Sequence, residues 1–236
     1  MTQLSFHKFF PSESFPALTV TSAPQQSFTY FGIDTSFDKS LAIIFLQAHV
    51  VGNVAELFEA FLSNFREHHM APEHTAFWLK ICIWLDPTYQ HDVPRWHQDG
   101  TYWTTGPEEM PYKVGTVFKG ASTLFLEPKV EYVLTMKESV ERLYQDKYSS
   151  EEEAIERLWL AEKFKEAAIF QGKPGELGRW VVGNDEFAVI HSEPPIHGPR
   201  IFLSFLPGTD EQIRELCRNW NQVFVDGKDS SKDKPD

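Results

Sequence analysis

Five short apolar runs, gathered in the middle and towards the end of the chain, constrain the fold more than any other feature. Ala76 to Leu85 (AFWLKICIWL) is dense in β-branched and aromatic residues and stops at Asp86-Pro87, so it reads as a buried strand. Val114 to Leu126 (VGTVFKGASTLFL) reads as two shorter strands broken at Lys119-Gly120. After a long polar interruption come Gly178 to Val182 (GRWVV), Glu186 to His191 (EFAVIH) and Arg200 to Phe205 (RIFLSF), each of strand length and bounded by turn residues.

Helical patterns flank and interrupt these runs. Asn53 with Glu56 three residues later forms a capping-box pattern, and Val54, Leu57, Phe58, Phe61, Leu62 and Phe65 recur on one face, predicting a core-facing helix to about His69. His68, His69 and His74 fall in its polar exit and are expected at the surface. The segment from about 137 to 171 is charge-laden and reads as a helical insertion, with one helix from Ser150 to Gln171 opened by an N-cap serine and an acidic first turn. Thr209 with Gln212 caps a last helix running through Ile213, Leu216, Cys217, Trp220, Val223 and Phe224. Ser27 to Gln47 reads as two short strands around a polar turn, and Met1 to about Gln26 as an extended arm over the core. The expectation is one domain over 1–225 and a disordered tail over 226–236 (DGKDSSKDKPD).

Composition narrows the partners. With 42% hydrophobic and 14% aromatic residues the chain has ample apolar surface for a core. A net charge of -12 without a basic stripe excludes a nucleic-acid partner, and the absence of a signal-like start or a membrane-length apolar run predicts a soluble, cytoplasmic protein. Cys82, inside an apolar run, and Cys217, on the last helix, read as small buried hydrophobes, suggesting neither a disulfide nor a thiolate metal site.

The segment PRWHQDGTYW places His97 and Asp99 two residues apart. With 9 His and 34 acidic residues, a His-x-acid pattern is expected about once by chance, and His191-Ser192-Glu193 is a second instance. What distinguishes the first is its setting: on a strand, residues two apart share a face, so His97 and Asp99 can reach one ion together. A second histidine from another strand would complete a facial set of two imidazoles and a carboxylate, leaving coordination positions open. His191, at the end of EFAVIH, is the expected third ligand, with His197 in the following turn as the alternative. Arg200 opens the next strand and supplies a permanent cation near the ligand.

His-x-Asp followed by a distal His and a basic residue about ten positions further resembles the 2-oxoglutarate/Fe(II)-dependent dioxygenase superfamily, and the WHQD segment is similar to that of its phytanoyl-CoA hydroxylase-like members. The resemblance covers roughly 81–206 and leaves the N-terminal third and the last helix unmatched. It implies a mainly β fold with flanking helices, a double-stranded β-helix (jelly roll, cupin-like). It further implies Fe(II) on His97, Asp99 and His191, with Arg200 anchoring the distal carboxylate of 2-oxoglutarate. The implied activity is oxidation of an unactivated C–H bond in a small-molecule substrate, releasing succinate and CO2, inside a wall that Trp96, Tyr102 and Trp103 can form. Ser204, four residues after Arg200, departs from the Arg-x-Ser form of some members. The competing readings are a cupin-like metal-dependent dioxygenase or isomerase that uses no 2-oxoglutarate, and a jelly-roll binding protein in which His97 and Asp99 only pair.

Overall fold

Each apolar run of the sequence falls in or beside a strand of two facing antiparallel sheets. The computed structural model describes residues 3–21, 25–85, 92–103, 110–143, 150–183, 186–195 and 197–226. In chain order the strands are β1 (Leu4–Lys8), β2 (Thr19–Val20), β3 (Gln26–Ile33), β4 (Val50–Val51), β5 (Ala76–Trp84), β6 (Arg95–His97), β7 (Tyr112–Lys119), β8 (Leu124–Leu126), β9 (Ile169–Gln171), β10 (Glu176–Val181), β11 (His191–Glu193) and β12 (Arg200–Gly208). The α-helices are α1 (Lys39–His49), α2 (Val54–His68), α3 (Val130–Leu143), α4 (Ser150–Lys163) and α5 (Asp210–Asn219).

The large sheet has the order β1-β10-β7-β12-β5-β3 and the small sheet β6-β11-β8-β9, while β2 and β4 form a separate pair. From β5 onward the chain alternates between the sheets: β5 large, β6 small, β7 large, β8 small, then β9 small, β10 large, β11 small, β12 large. Two such passes wound against each other make a double-stranded β-helix, the jelly-roll arrangement expected from the sequence. The first and third strands of the chain widen the large sheet at its two edges.

Alternation along the large-sheet strands separates two environments. Phe77, Leu79, Ile81 and Ile83 of β5, with Ile201, Leu203 and Phe205 of β12, face outward and pack under the apolar stripe of α2 and under Ala42 and Leu46 of α1. Their partners in alternation, including Trp78 and Lys80 on β5 and Arg200, Phe202 and Ser204 on β12, face the interval between the sheets. The helical insertion between β8 and β9 packs Val133, Met136, Leu160 and Phe164 on Trp96, Leu126 and Ile190.

Several elements differ from their sequence expectation. The N-terminal arm includes an edge strand, with β1 antiparallel to β10. The second strand expected before Gln47 is helix α1: Asp38 accepts from the backbone N–H of Ser40 at 2.9 Å, and the fully buried Ala42 and Leu46 recur at the helical spacing of four. At Asn53 the side chain donates to the Glu56 carboxylate instead of accepting from the helix backbone. Helix α4 ends at Lys163, and Ile169–Gln171 leaves it to pair with β8. The run EFAVIH yields a strand only from His191 onward. The capping box of α5 forms as expected, but its helix ends at Asn219, after which Val225 bonds to both Phe31 and Ile33 beside β3. Both cysteines are buried and free. The tail expected to be disordered falls, from 227 onward, outside the described residues. No helix among the described residues is long and apolar enough to cross a membrane.

Candidate metal centre

Strand pairing brings the two histidines together across almost a hundred residues of chain. β11 lies antiparallel to β6 with His191 opposite His97 and Glu193 opposite Arg95. The imidazole centroids are 4.3 Å apart. Asp99 was expected on the same strand face as His97, yet β6 ends at His97 and Asp99 lies two residues past it. The loop nevertheless turns its carboxylate to the histidines: the donor atoms of His97, Asp99 and His191 all lie within 4.8 Å of one another, with His191 Nε2 3.4 Å from Asp99 Oδ2. His197 is exposed in the turn and lies outside the cluster.

Backbone contacts fix which nitrogen each histidine offers. His97 Nδ1 donates to the Arg95 carbonyl at 2.9 Å and His191 Nδ1 to the Val189 carbonyl at 3.2 Å. A carbonyl only accepts, so both Nδ1 atoms carry the proton and both neutral rings present an Nε2 lone pair. Burial pushes both imidazoles below their ordinary value, since a charged ring there would lose its hydration; for His97 the neighbouring His191 adds to the effect. Burial alone would raise the Asp99 carboxyl, but the charge and hydrogen bond of the Lys113 ammonium work against it and the group lies well below the usual carboxylate range. Two neutral imidazole nitrogens and one carboxylate oxygen on one side of a chamber are a donor set that suits a divalent first-row ion with open positions.

Asp99 is held by donors from the large sheet and from its own loop. Tyr102 Oη donates to Oδ1 at 2.8 Å, Lys113 Nζ donates to the same oxygen at 2.9 Å, and Trp180 Nε1 donates to Oδ2 at 3.2 Å. Lys113 is buried between the rings of Trp78 and Tyr102, 4.9 Å from each centroid, where burial lowers its ammonium and Asp99 works against that shift. The Trp180 indole reaches Asp99 by crossing Gly115, where any Cβ would lie 2.9 Å from its ring. The sequence reading missed Lys113 and Trp180. Their signal was a lysine within an apolar strand and a tryptophan in GRWVV.

The three donors border a chamber of about 380 Å³ that extends to Arg200. Arg200 is 1% exposed, donates through Nε to the Ala121 carbonyl at 3.0 Å and through Nη2 to Thr123 Oγ1 at 3.3 Å, and keeps further N–H groups for a ligand. Ala121 follows Gly120, whose φ of +90° bends the chain where a Cβ would meet the Pro199 carbonyl at 2.6 Å. Ser204 lines the same chamber.

A second cavity of about 640 Å³ adjoins the first and shares Arg95 and His97 with it. Its other walls come from α3 and α4, notably Met136, Val140, Glu156 and Leu160. Trp96 faces this cavity and meets Phe164 edge-on with centroids 6.0 Å apart. Tyr102 lines the first chamber, where its hydroxyl buttresses Asp99; burial and the Asp99 charge raise that hydroxyl, so it stays protonated as a donor. Trp103 borders neither cavity and packs in the cluster that includes Ile213 and Leu216 of α5.

No family model matches the chain, and no curated protein matches it. Among solved structures it is similar to a prolyl-4-hydroxylase from Pseudomonas putida at 8% identity, covering 88% of this chain and 92% of that one with a TM-score of 0.36. It is also similar to the Kdo hydroxylase KdoO, described as a non-heme Fe(II) alpha-ketoglutarate-dependent dioxygenase in complex with cobalt(II), at 16% identity over 90% and 82% of the two chains with a TM-score of 0.34. A third similar structure is the Fe(II)/alpha-ketoglutarate-dependent dioxygenase TqaL, at 11% identity over 84% and 71% with a TM-score of 0.36. Likeness at this level carries no weight for the chemistry, which rests on the strand order and the donor set.

Proposed function

We propose that this chain is a non-haem Fe(II)- and 2-oxoglutarate-dependent oxygenase that oxidises an unactivated C–H bond of a small-molecule substrate, with 1–225 as its catalytic domain. The observation that carries the reading is a single chamber lined by two Nε2 lone pairs, a fixed carboxylate and a buried guanidinium. His97, Asp99 and His191 would hold the iron. With 2-oxoglutarate and O2, bound iron would supply the oxidising power, and succinate and CO2 would be released.

The remaining work falls to the protein. Arg200 presents a forked cation to the distal carboxylate of 2-oxoglutarate, a geometry that a carboxylate matches with two parallel hydrogen bonds. Among the described residues that border the chamber, Lys113 pairs with Asp99 and Arg95 with Glu193, which leaves Lys80 and Arg200 to draw an anion in. Lys113 and Tyr102 keep Asp99 oriented. The apolar flank of the helix-lined cavity, formed by Trp96, Met136 and Leu160, gives the substrate a dry approach to His97. The cytoplasm would supply the reduced iron and the 2-oxo acid such a site needs.

Anaerobic titration with Fe(II) followed by 2-oxoglutarate tests the assignment through the visible charge-transfer band of the chelate. The wild type should develop the band. His97→Ala should lose iron binding, while Arg200→Ala should retain iron and weaken 2-oxoglutarate by roughly thirtyfold or more, the cost of removing a buried charge partner. A wild-type protein that binds Fe(II) without ever forming the band would instead support a cupin-like enzyme that uses no 2-oxo acid.

A further inference from the structure

The chamber contains a carboxylate that an anion-binding site should not tolerate. Glu193 is two residues beyond His191 on β11 and borders the same chamber as Arg200; its neighbour Ser192 pairs with Leu124, next to Thr123, whose hydroxyl accepts from Arg200 Nη2 at 3.3 Å. Left alone, it would occupy Arg200 and repel an incoming dicarboxylate. It is not left alone: Arg95 stands opposite it in the β6–β11 register and donates from Nε to its Oε2 at 3.2 Å.

We propose that Arg95, by holding Glu193, keeps the Arg200 end of the chamber open to the distal carboxylate of a 2-oxo dicarboxylic acid and so sets its selectivity for a dianionic co-substrate. This rests on the reading given under Proposed function. Among the described residues two carboxylates border the chamber; Asp99 is committed to Lys113 and Tyr102, which leaves Glu193 to compete for Arg200. Arg200 is 1% exposed, so its charge is poorly screened and the nearest carboxylate competes for it. The pair itself contributes little to folding, because its side chains are 36% and 33% exposed and ion pairs in that setting add little net stability. Arg95 is thus a positioning residue that acts through Glu193.

The test uses the full chain loaded anaerobically with Fe(II) and two probes, 2-oxoglutarate and 2-oxobutyrate, which lacks the distal carboxylate. Arg95→Ala should weaken 2-oxoglutarate about tenfold, leave Fe(II) affinity unchanged and leave 2-oxobutyrate unaffected. Arg95→Ala combined with Glu193→Gln should return 2-oxoglutarate affinity to within about threefold of wild type, because the neutral amide no longer competes for Arg200. Glu193→Gln alone, which preserves shape, should bind 2-oxoglutarate as tightly as wild type or more tightly. The proposal is overturned if Arg95→Ala binds 2-oxoglutarate normally, if the double variant stays as weak as the single one, if both probes weaken together, or if Glu193→Gln alone loses affinity. A wild type that forms no chelate band would count against the oxygenase reading itself, a separate result.

Discussion

The two faces of the large sheet are made from the same strands and follow opposite rules. Outward, Phe205 stacks on Phe65 at a centroid distance of 4.1 Å and meets Phe61 and Phe77 at 5.2 Å, in a layer closed by α2. Inward, one residue away, Ser204 borders a chamber with lysines, arginines and carboxylates. The outer face is held by area and shape, the inner one by charge pairs with fixed geometry. Stability can therefore reside in one layer while chemistry is arranged in the other, with β12 contributing to both.

The largest effect should come from the outer face. Phe205→Ala should cost about 3–5 kcal/mol in denaturant unfolding, the range for emptying a fully packed phenylalanine site, while the protein that remains folded binds Fe(II) as before. A loss of metal affinity matching the loss of stability would show that the faces are not separate.

One residue of the outer layer breaks its rule. His69, expected at the surface, is 4% exposed at the end of α2, with no hydrogen-bond partner for either ring nitrogen among the described residues and its ring 4.9 Å from that of His7. Burial first, then the charges of His7, Arg179 and His68, lower its pKa to about 4 from the ordinary 6.5. Between those values the unfolded chain takes up a proton that the folded chain refuses, so this group's contribution falls as pH falls. His69→Leu should therefore gain on wild type by about 3 kcal/mol between pH 7 and pH 4, measured as the difference between their unfolding free energies. A constant difference across that range would show that the ring protonates freely in the fold.

The smallest of these effects tests the inner face. Tyr102→Phe removes one of two donors on Asp99 Oδ1 and leaves Lys113, so metal affinity should drop about tenfold, the lower end for losing an outer contact to a ligand, with unfolding changed by less than about 1 kcal/mol. Unchanged affinity for Co(II), read from its visible absorption, would assign the orientation of Asp99 to Lys113 alone.

Legibility in the sequence followed the same division. Runs with one consistent period, such as the α2 stripe and β5, were readable because burial on one face or both leaves a plain pattern. The run SLAIIFLQ misled because its β-branched and aromatic residues suit a strand, whereas the Asp38 cap and the spacing of Ala42 and Leu46 make it α1. β9 is exposed at all three positions on a sheet edge and carries no alternating burial pattern to detect. At the centre, His97, Asp99, His191 and Arg200 were visible as spaced residue types. His191 was preferred over His197 for its place at the end of an apolar run, whereas the clamp on Asp99 depends on side chains from distant strands, which local sequence does not encode.

That clamp has a mechanical consequence. Asp99 follows a strand of the small sheet, yet two of its hydrogen bonds come from Lys113 and Trp180 on the large one. The carboxylate is a rivet through both walls of the barrel, and an ion drawn between it and the two histidines would tighten the joint. Loading the centre and setting the spacing of the sheets would then be one event.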